Sequence, residues 1–165
     1  MKEKLNAPNW NLLKLQRYQQ INFEDKVRLG LPTWESAKFR GTLYDHDTPI
    51  DEFLPLYAAQ YDAVEYHDAF HDLPSERRMV ELKNKVKDIN KDFKFCPVIP
   101  RRISHEFELG ENKYDLQDFH ESINQLGDHL GPCILRLPET FSPLLLKTLF
   151  KFIRRRSVEP MRLLS

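Results

Sequence analysis

The chain is short of cysteine, of glycine and of net charge, and each shortage removes a class of protein. Two cysteines, Cys96 and Cys133, stand in 165 residues. A small secreted domain held by disulfides would carry more of them, more tightly spaced. Both lie in apolar stretches, so two buried thiols in a reducing cytoplasm is the expected state. Glycine occurs five times, and no G-x-G-x-x-G follows any strand candidate, which disfavours a dinucleotide-binding fold. Lys+Arg and Asp+Glu both number 25. That balance removes the whole-molecule electrostatic argument for a nucleic-acid or anionic-membrane partner, although a local patch is still allowed. No apolar run approaches the roughly 18 residues of a membrane span. The first ten residues lack the apolar core of a secretory signal.

What is present suits a soluble globular domain, with 41% apolar and 30% charged residues. Residues 1–26 show no clean period, although Leu12, Leu13, Leu15 and Tyr18 allow a short helix, and they read as an N-terminal extension. From Val27 short apolar runs alternate with helical stretches. The strand candidates are 27–31, 62–66, 93–99 and 131–137. Pro97 is awkward inside the third, because proline removes a ladder donor. Thr48-Pro49 resembles an N-cap followed by proline at N1, opening a helix to about Gln60. Ser75 opens a second helix whose Met79, Leu82, Val86 and Ile89 share one face. A third, from about Leu116 to His129, has Leu116, Phe119, Ile123 and Leu126 as its apolar stripe. Ser142-Pro143 starts a fourth, through Ile153. Four β-α units in succession predict parallel pairing with right-handed crossovers.

Four segments, in order, resemble the YecE-like family, a domain of unknown function (DUF72). They are Gly30-Leu-Pro-Thr-Trp34 with Phe39-Arg-Gly41-Thr-Leu-Tyr44, and Val64-Glu-Tyr-His-Asp-Ala-Phe-His71 with Leu73-Pro-Ser75. Then come Phe93-Lys-Phe95 with Pro100-Arg-Arg-Ile-Ser-His105, and Leu126-Gly127 with Leu130-Gly-Pro132, Leu135, Leu137-Pro138 and Phe141. The resemblance implies α/β architecture built from the parallel β/α units of a TIM (β/α)8 barrel. Such a barrel typically needs about 250 residues, so the expectation is a barrel truncated to about its first four units. Residues 27–153 would form this partial barrel, and 154–165 a basic C-terminal tail without a fifth strand. The first and fourth strands would be unpaired edges open to self-association.

Barrels gather functional groups at the C-terminal ends of their strands. That rule selects Glu65, His67 and His105 as candidate catalytic groups. Period-2 geometry puts Glu65 and His67 on one face, opposite Val64 and Tyr66. A carboxylate beside an imidazole orients the ring for acid-base work or metal binding, and equally forms a merely structural pair. Trp34, Arg101, Arg102 and Arg136 are the candidate substrate-binding residues. The arginines suit a phosphate or carboxylate, and Arg136, inside an apolar strand, needs a partner such as Glu65. His67, His71 and His105 with Asp68 could supply metal ligands, but no recognised zinc spacing supports that, and no metal is assigned; no cofactor is indicated. Within the family pattern a strand-three lysine falls at Val98, a strand-four glutamine at Arg136 and a strand-two asparagine at His67. Two functions follow. One is a truncated, catalytically inert fragment. The other is a metal- or phosphate-dependent barrel hydrolase acting on a phosphate-containing or nucleic-acid substrate.

Overall fold

Alternation of apolar and polar residues builds the two central strands. In Ala63–Tyr66 (β2) and Lys94–Pro97 (β3), Val64, Tyr66, Phe95 and Pro97 are buried, whereas Ala63, Glu65, Lys94 and Cys96 are half-buried. The strands run parallel, with Val64 opposite Phe95 and Glu65 opposite Cys96. One face is therefore core and the other carries the polar groups. The computed structural model describes residues 27–106, 113–156 and 163–164. The extension expected over residues 1–26 lies outside them.

β1 is Gly30–Leu31, parallel to β2, and shorter than the run from Val27 suggests. Its backbone comes so close to β2 that a Cβ on Gly30 would sit 2.1 Å from the Ala63 carbonyl oxygen. Just beyond, a side chain enters the ladder. The Leu31 amide donates to the Tyr57 hydroxyl at 2.6 Å, and that hydroxyl donates to the Ala63 carbonyl at 2.9 Å. Direct pairing ends there.

On the other side of β3 the awkward proline finds its explanation. Bridges join Phe95 to Leu130 and Val98 to Ile134, so three steps along β3 face four along its neighbour, which continues into Cys133–Ile134 (β4). Gly131 N donates to Phe95 O at 2.7 Å and Ile99 N to Ile134 O at 2.9 Å. Between these bonds lies Pro97, whose missing N–H falls on the β4 side. The extra residue on the β4 side is a bulge at the place where no donor exists.

The helices follow their apolar stripes, with corrections at the ends. Ser75 caps Glu76–Val86 (α3) by accepting from Arg78 N. Met79, Leu82 and Val86 are buried, but the helix stops at Val86 and leaves Ile89 45% exposed. The helix expected from Pro49 begins as a 3-10 turn, Ile50–Glu52, before Phe53–Ala58 (α1). Thr48 is not its cap, because Pro49 itself holds the extended N-cap conformation. A short α2, Asp68–His71, follows β2. Lys113–Asn124 (α4) precedes β4 and buries Leu116, Phe119 and Ile123; Leu126, just beyond it, is buried too. Ser142 caps a 3-10 turn with Pro143 at its start, and Leu146–Arg156 (α5) continues from it.

Two expectations about the end of the chain are corrected. α5 runs through the boundary placed after Ile153, and Leu163–Leu164 forms a fifth strand, β5, parallel to β4. The fourth strand is thus not an open edge. The strand order is β1-β2-β3, then β4-β5, with the two sets joined by the bridges beside Pro97. Every neighbour is the next strand in sequence and every pair is parallel. Right-handed crossovers that never reverse direction place the helices on one side of the sheet. A doubly wound sheet would show a reversal in strand order. This is barrel topology. The core lies between sheet and helices, where Trp34 stacks on Tyr66 and meets Phe95 edge-on, each with ring centroids 6.2 Å apart.

Candidate functional site

The polar groups of the sheet gather where β2, β3 and β4 end. Glu65 is the last polar residue of β2's inner face, and its side chain is 17% exposed. The backbone then turns at His67, whose ring is the next group on that side. His67 Nδ1 stands 3.4 Å from Glu65 Oε1, outside good hydrogen-bonding geometry, and is buried without a hydrogen-bond partner. The same Glu65 oxygen accepts a charge-assisted bond from Arg136 Nη2 at 2.6 Å. Arg136 lies two residues past β4 and is 45% exposed. It is therefore not trapped in an apolar strand; it reaches along the mouth to its carboxylate.

A second imidazole arrives from the turn after β3. Residues Arg102–Glu106 form a π-helical turn, a rare form that recurs at functional sites. It sets His105 edge-on to Phe70, with ring centroids 5.3 Å apart. Phe70 in turn stacks on His67 at 5.6 Å, so one aromatic ring separates the two imidazoles. His105 Nδ1 is 2.8 Å from Ser104 Oγ. Sequence reasoning did not single out Ser104, and its position directly before His105 was the available signal.

Of the candidates, the structure brings together Glu65, His67 and Arg136, and joins His105 to them through Phe70. Arg101 and Arg102 are exposed at the same end, and Arg102 makes contacts of its own. Trp34 is elsewhere. It is 5% exposed and stacked on Tyr66, which points away from Glu65 by strand alternation. There it borders a helix-side cavity of about 410 Å³ that Leu54, Leu82, Arg78 and Lys85 also line. It therefore stands apart from the Glu65 cluster. Among the described residues no three His, Cys, Asp or Glu side chains are grouped as metal ligands. His71 meets His67 edge-on, with ring centroids 5.1 Å apart, and Asp68 is exposed.

The two thiols differ. Cys133 is fully buried, and burial pushes its pKa up to about 12. Cys96 is half-buried on the inner face beside Glu65; burial, then the Glu65 charge, raises its pKa. Neither is an activated nucleophile, because reactive thiols have lowered pKa values.

Sequential parallel strands with a polar mouth define a TIM-barrel-like protein. The family model described as protein of unknown function DUF72 matches residues 28–163. This chain belongs to the DUF72 family. It is similar to the UPF0759 protein YecE of Escherichia coli strain K12, 28% identical over 127 residues, covering 77% of this chain and 43% of the relative. The O157:H7 protein gives the same figures. A crystal structure of a DUF72 family protein from Enterococcus faecalis V583 shares the fold with a TM-score of 0.63 at 22% identity. That likeness covers 79% of this chain and 46% of the other. The chain thus spans less than half the length of the relatives it matches. No helix among the described residues is long and apolar enough to cross a membrane.

Proposed function

We propose that this chain is a barrel segment whose mouth binds a phosphate-containing ligand and which does not turn that ligand over by itself. The supporting observation is the Glu65 carboxylate, held by Arg136 at 2.6 Å with the unpartnered His67 Nδ1 at 3.4 Å. Arg136 offers five N–H donors, and its side chain is 45% open to solvent. An incoming phosphate can share it with Glu65. The same pairing supports inertness. Glu65 is occupied as a counter-ion, and a barrel assembles its chemistry from the ends of several strands. In a longer barrel this cluster would serve a phosphate-dependent hydrolase, with the carboxylate orienting the imidazole. We place the protein in the cytoplasm on the strength of its two free thiols.

Association is a second reading with its own observation. Val27 is 91% and Leu29 66% exposed beside β1, which has no strand on its outer side among the described residues. Apolar side chains along an open edge are a template for a partner strand, from a second copy or another chain.

Isothermal titration with inorganic phosphate tests the first reading. A dissociation constant in the millimolar range, about 4 kcal/mol, is expected, with at least about tenfold weakening in Arg136→Ala. p-Nitrophenyl phosphate should not be hydrolysed above the buffer rate. Absence of binding, or equal binding by Arg136→Ala, overturns the proposal; hydrolysis overturns its inertness.

A further inference from the structure

We infer that Ser104 is a positioning residue that locks His105 in one neutral tautomer, making His105 Nε2 the proton acceptor of the mouth. A count of hydrogens leads there. Ser104 is fully buried, so its hydroxyl has no solvent to turn to. Ser104 Oγ lies 3.2 Å from the Pro100 carbonyl oxygen and 2.8 Å from His105 Nδ1. A carbonyl cannot donate, so both contacts are hydrogen bonds at once only when the single hydroxyl hydrogen goes to Pro100. In that arrangement the Ser104 oxygen accepts from His105, and Nδ1 carries the ring proton. Nε2 is left with its lone pair.

The frame is rigid where this matters. Pro100 O also receives the amides of Ile103 and Ser104, at 3.0 and 3.1 Å, and the edge-on contact with Phe70 holds the His105 ring from another side. The ring is only part-buried, so part of the imidazole is open to ligand or solvent. This inference rests on the reading of the mouth as a ligand site and narrows the ligand. Arg136 donates to an anion, and His67 can donate too. His105 Nε2 accepts, so it favours a ligand oxygen that still carries a hydrogen, as a hydrogen phosphate or a singly protonated phosphate monoester does. A phosphodiester has no such hydrogen to give.

Long-range proton–nitrogen NMR of the whole chain, at about pH 8 where an ordinary imidazole is neutral, reads the tautomer without any ligand. His105 should show the Nδ1–H form, retained in Ser104→Thr and lost to a mixture in Ser104→Ala. A wild-type His105 with its proton on Nε2 overturns the inference, and this spectrum decides even if Ser104→Ala does not fold. Inorganic phosphate should then move the His105 Nε2 resonance, and dimethyl phosphate should not. Equal shifts from both would remove the preference for a protonated oxygen while leaving the tautomer assignment standing. The correct tautomer with no shift from phosphate would instead sink the mouth as a phosphate site.

Discussion

At the scale of single residues, one hydroxyl extends the pairing of two strands. Tyr57, on α1, accepts from Leu31 and donates to Ala63, tying β1 to β2 where their own ladder stops. It is fully buried, and burial pushes its pKa up to about 12. Removing the hydroxyl leaves two backbone groups without a partner, so Tyr57→Phe should lower stability by about 1–3 kcal/mol in urea denaturation. Because the value is raised, the folded chain holds the phenolic proton more tightly than the unfolded chain. The contribution is therefore complete below the ordinary tyrosine value of about 10. It is lost as pH climbs through about 12. Wild-type stability should fall across that window, with Tyr66 and Cys133, both also raised by burial, adding to the loss. Tyr57→Phe should fall less steeply.

At the scale of elements, the short first strand depends on a missing side chain. With only 2.1 Å between the place of a Cβ at residue 30 and the Ala63 oxygen, Gly30→Ala must push β1 away from β2. Circular dichroism melts should show a loss of at least about 2–3 kcal/mol, well beyond the roughly 1 kcal/mol typical of point substitutions. β2, α3 and α4 are legible in the sequence because buried faces impose a period: Val64 and Tyr66 on the strand, Met79, Leu82 and Val86 on the first of those helices. Ends are not legible. Ile89 keeps the period of α3 after the backbone has left the helix, and Thr48 has the side chain of a cap in a place where Pro49 holds the capping conformation. β5 is invisible because Leu163 and Leu164 are two apolar residues beside a basic run, with no alternation to display. In the mouth, alternation places Glu65 with His67, and the charge of Arg136 asks for a carboxylate. The place of Trp34 is not legible, because an aromatic in a loop looks the same in sequence whether it lines a mouth or a core.

At the scale of the whole molecule, everything functional follows from strands that run parallel in sequence order. That order puts the helices on one side and leaves Ala63, Glu65, Lys94 and Cys96 on the other, half-buried. In a closed barrel this inner face would be packed with side chains from opposing strands. Here Cys96 reports directly on whether it is open, with the fully buried Cys133 as an internal control. Thiol titration with Ellman's reagent on the native chain, at about pH 8 to keep some thiolate present, is the decisive measurement. One thiol should react while the protein is folded, the second only after unfolding, and Cys96→Ser should abolish the first phase. Two thiols reacting at the same rate, or neither reacting before unfolding, would contradict an open inner face and the binding mouth built upon it.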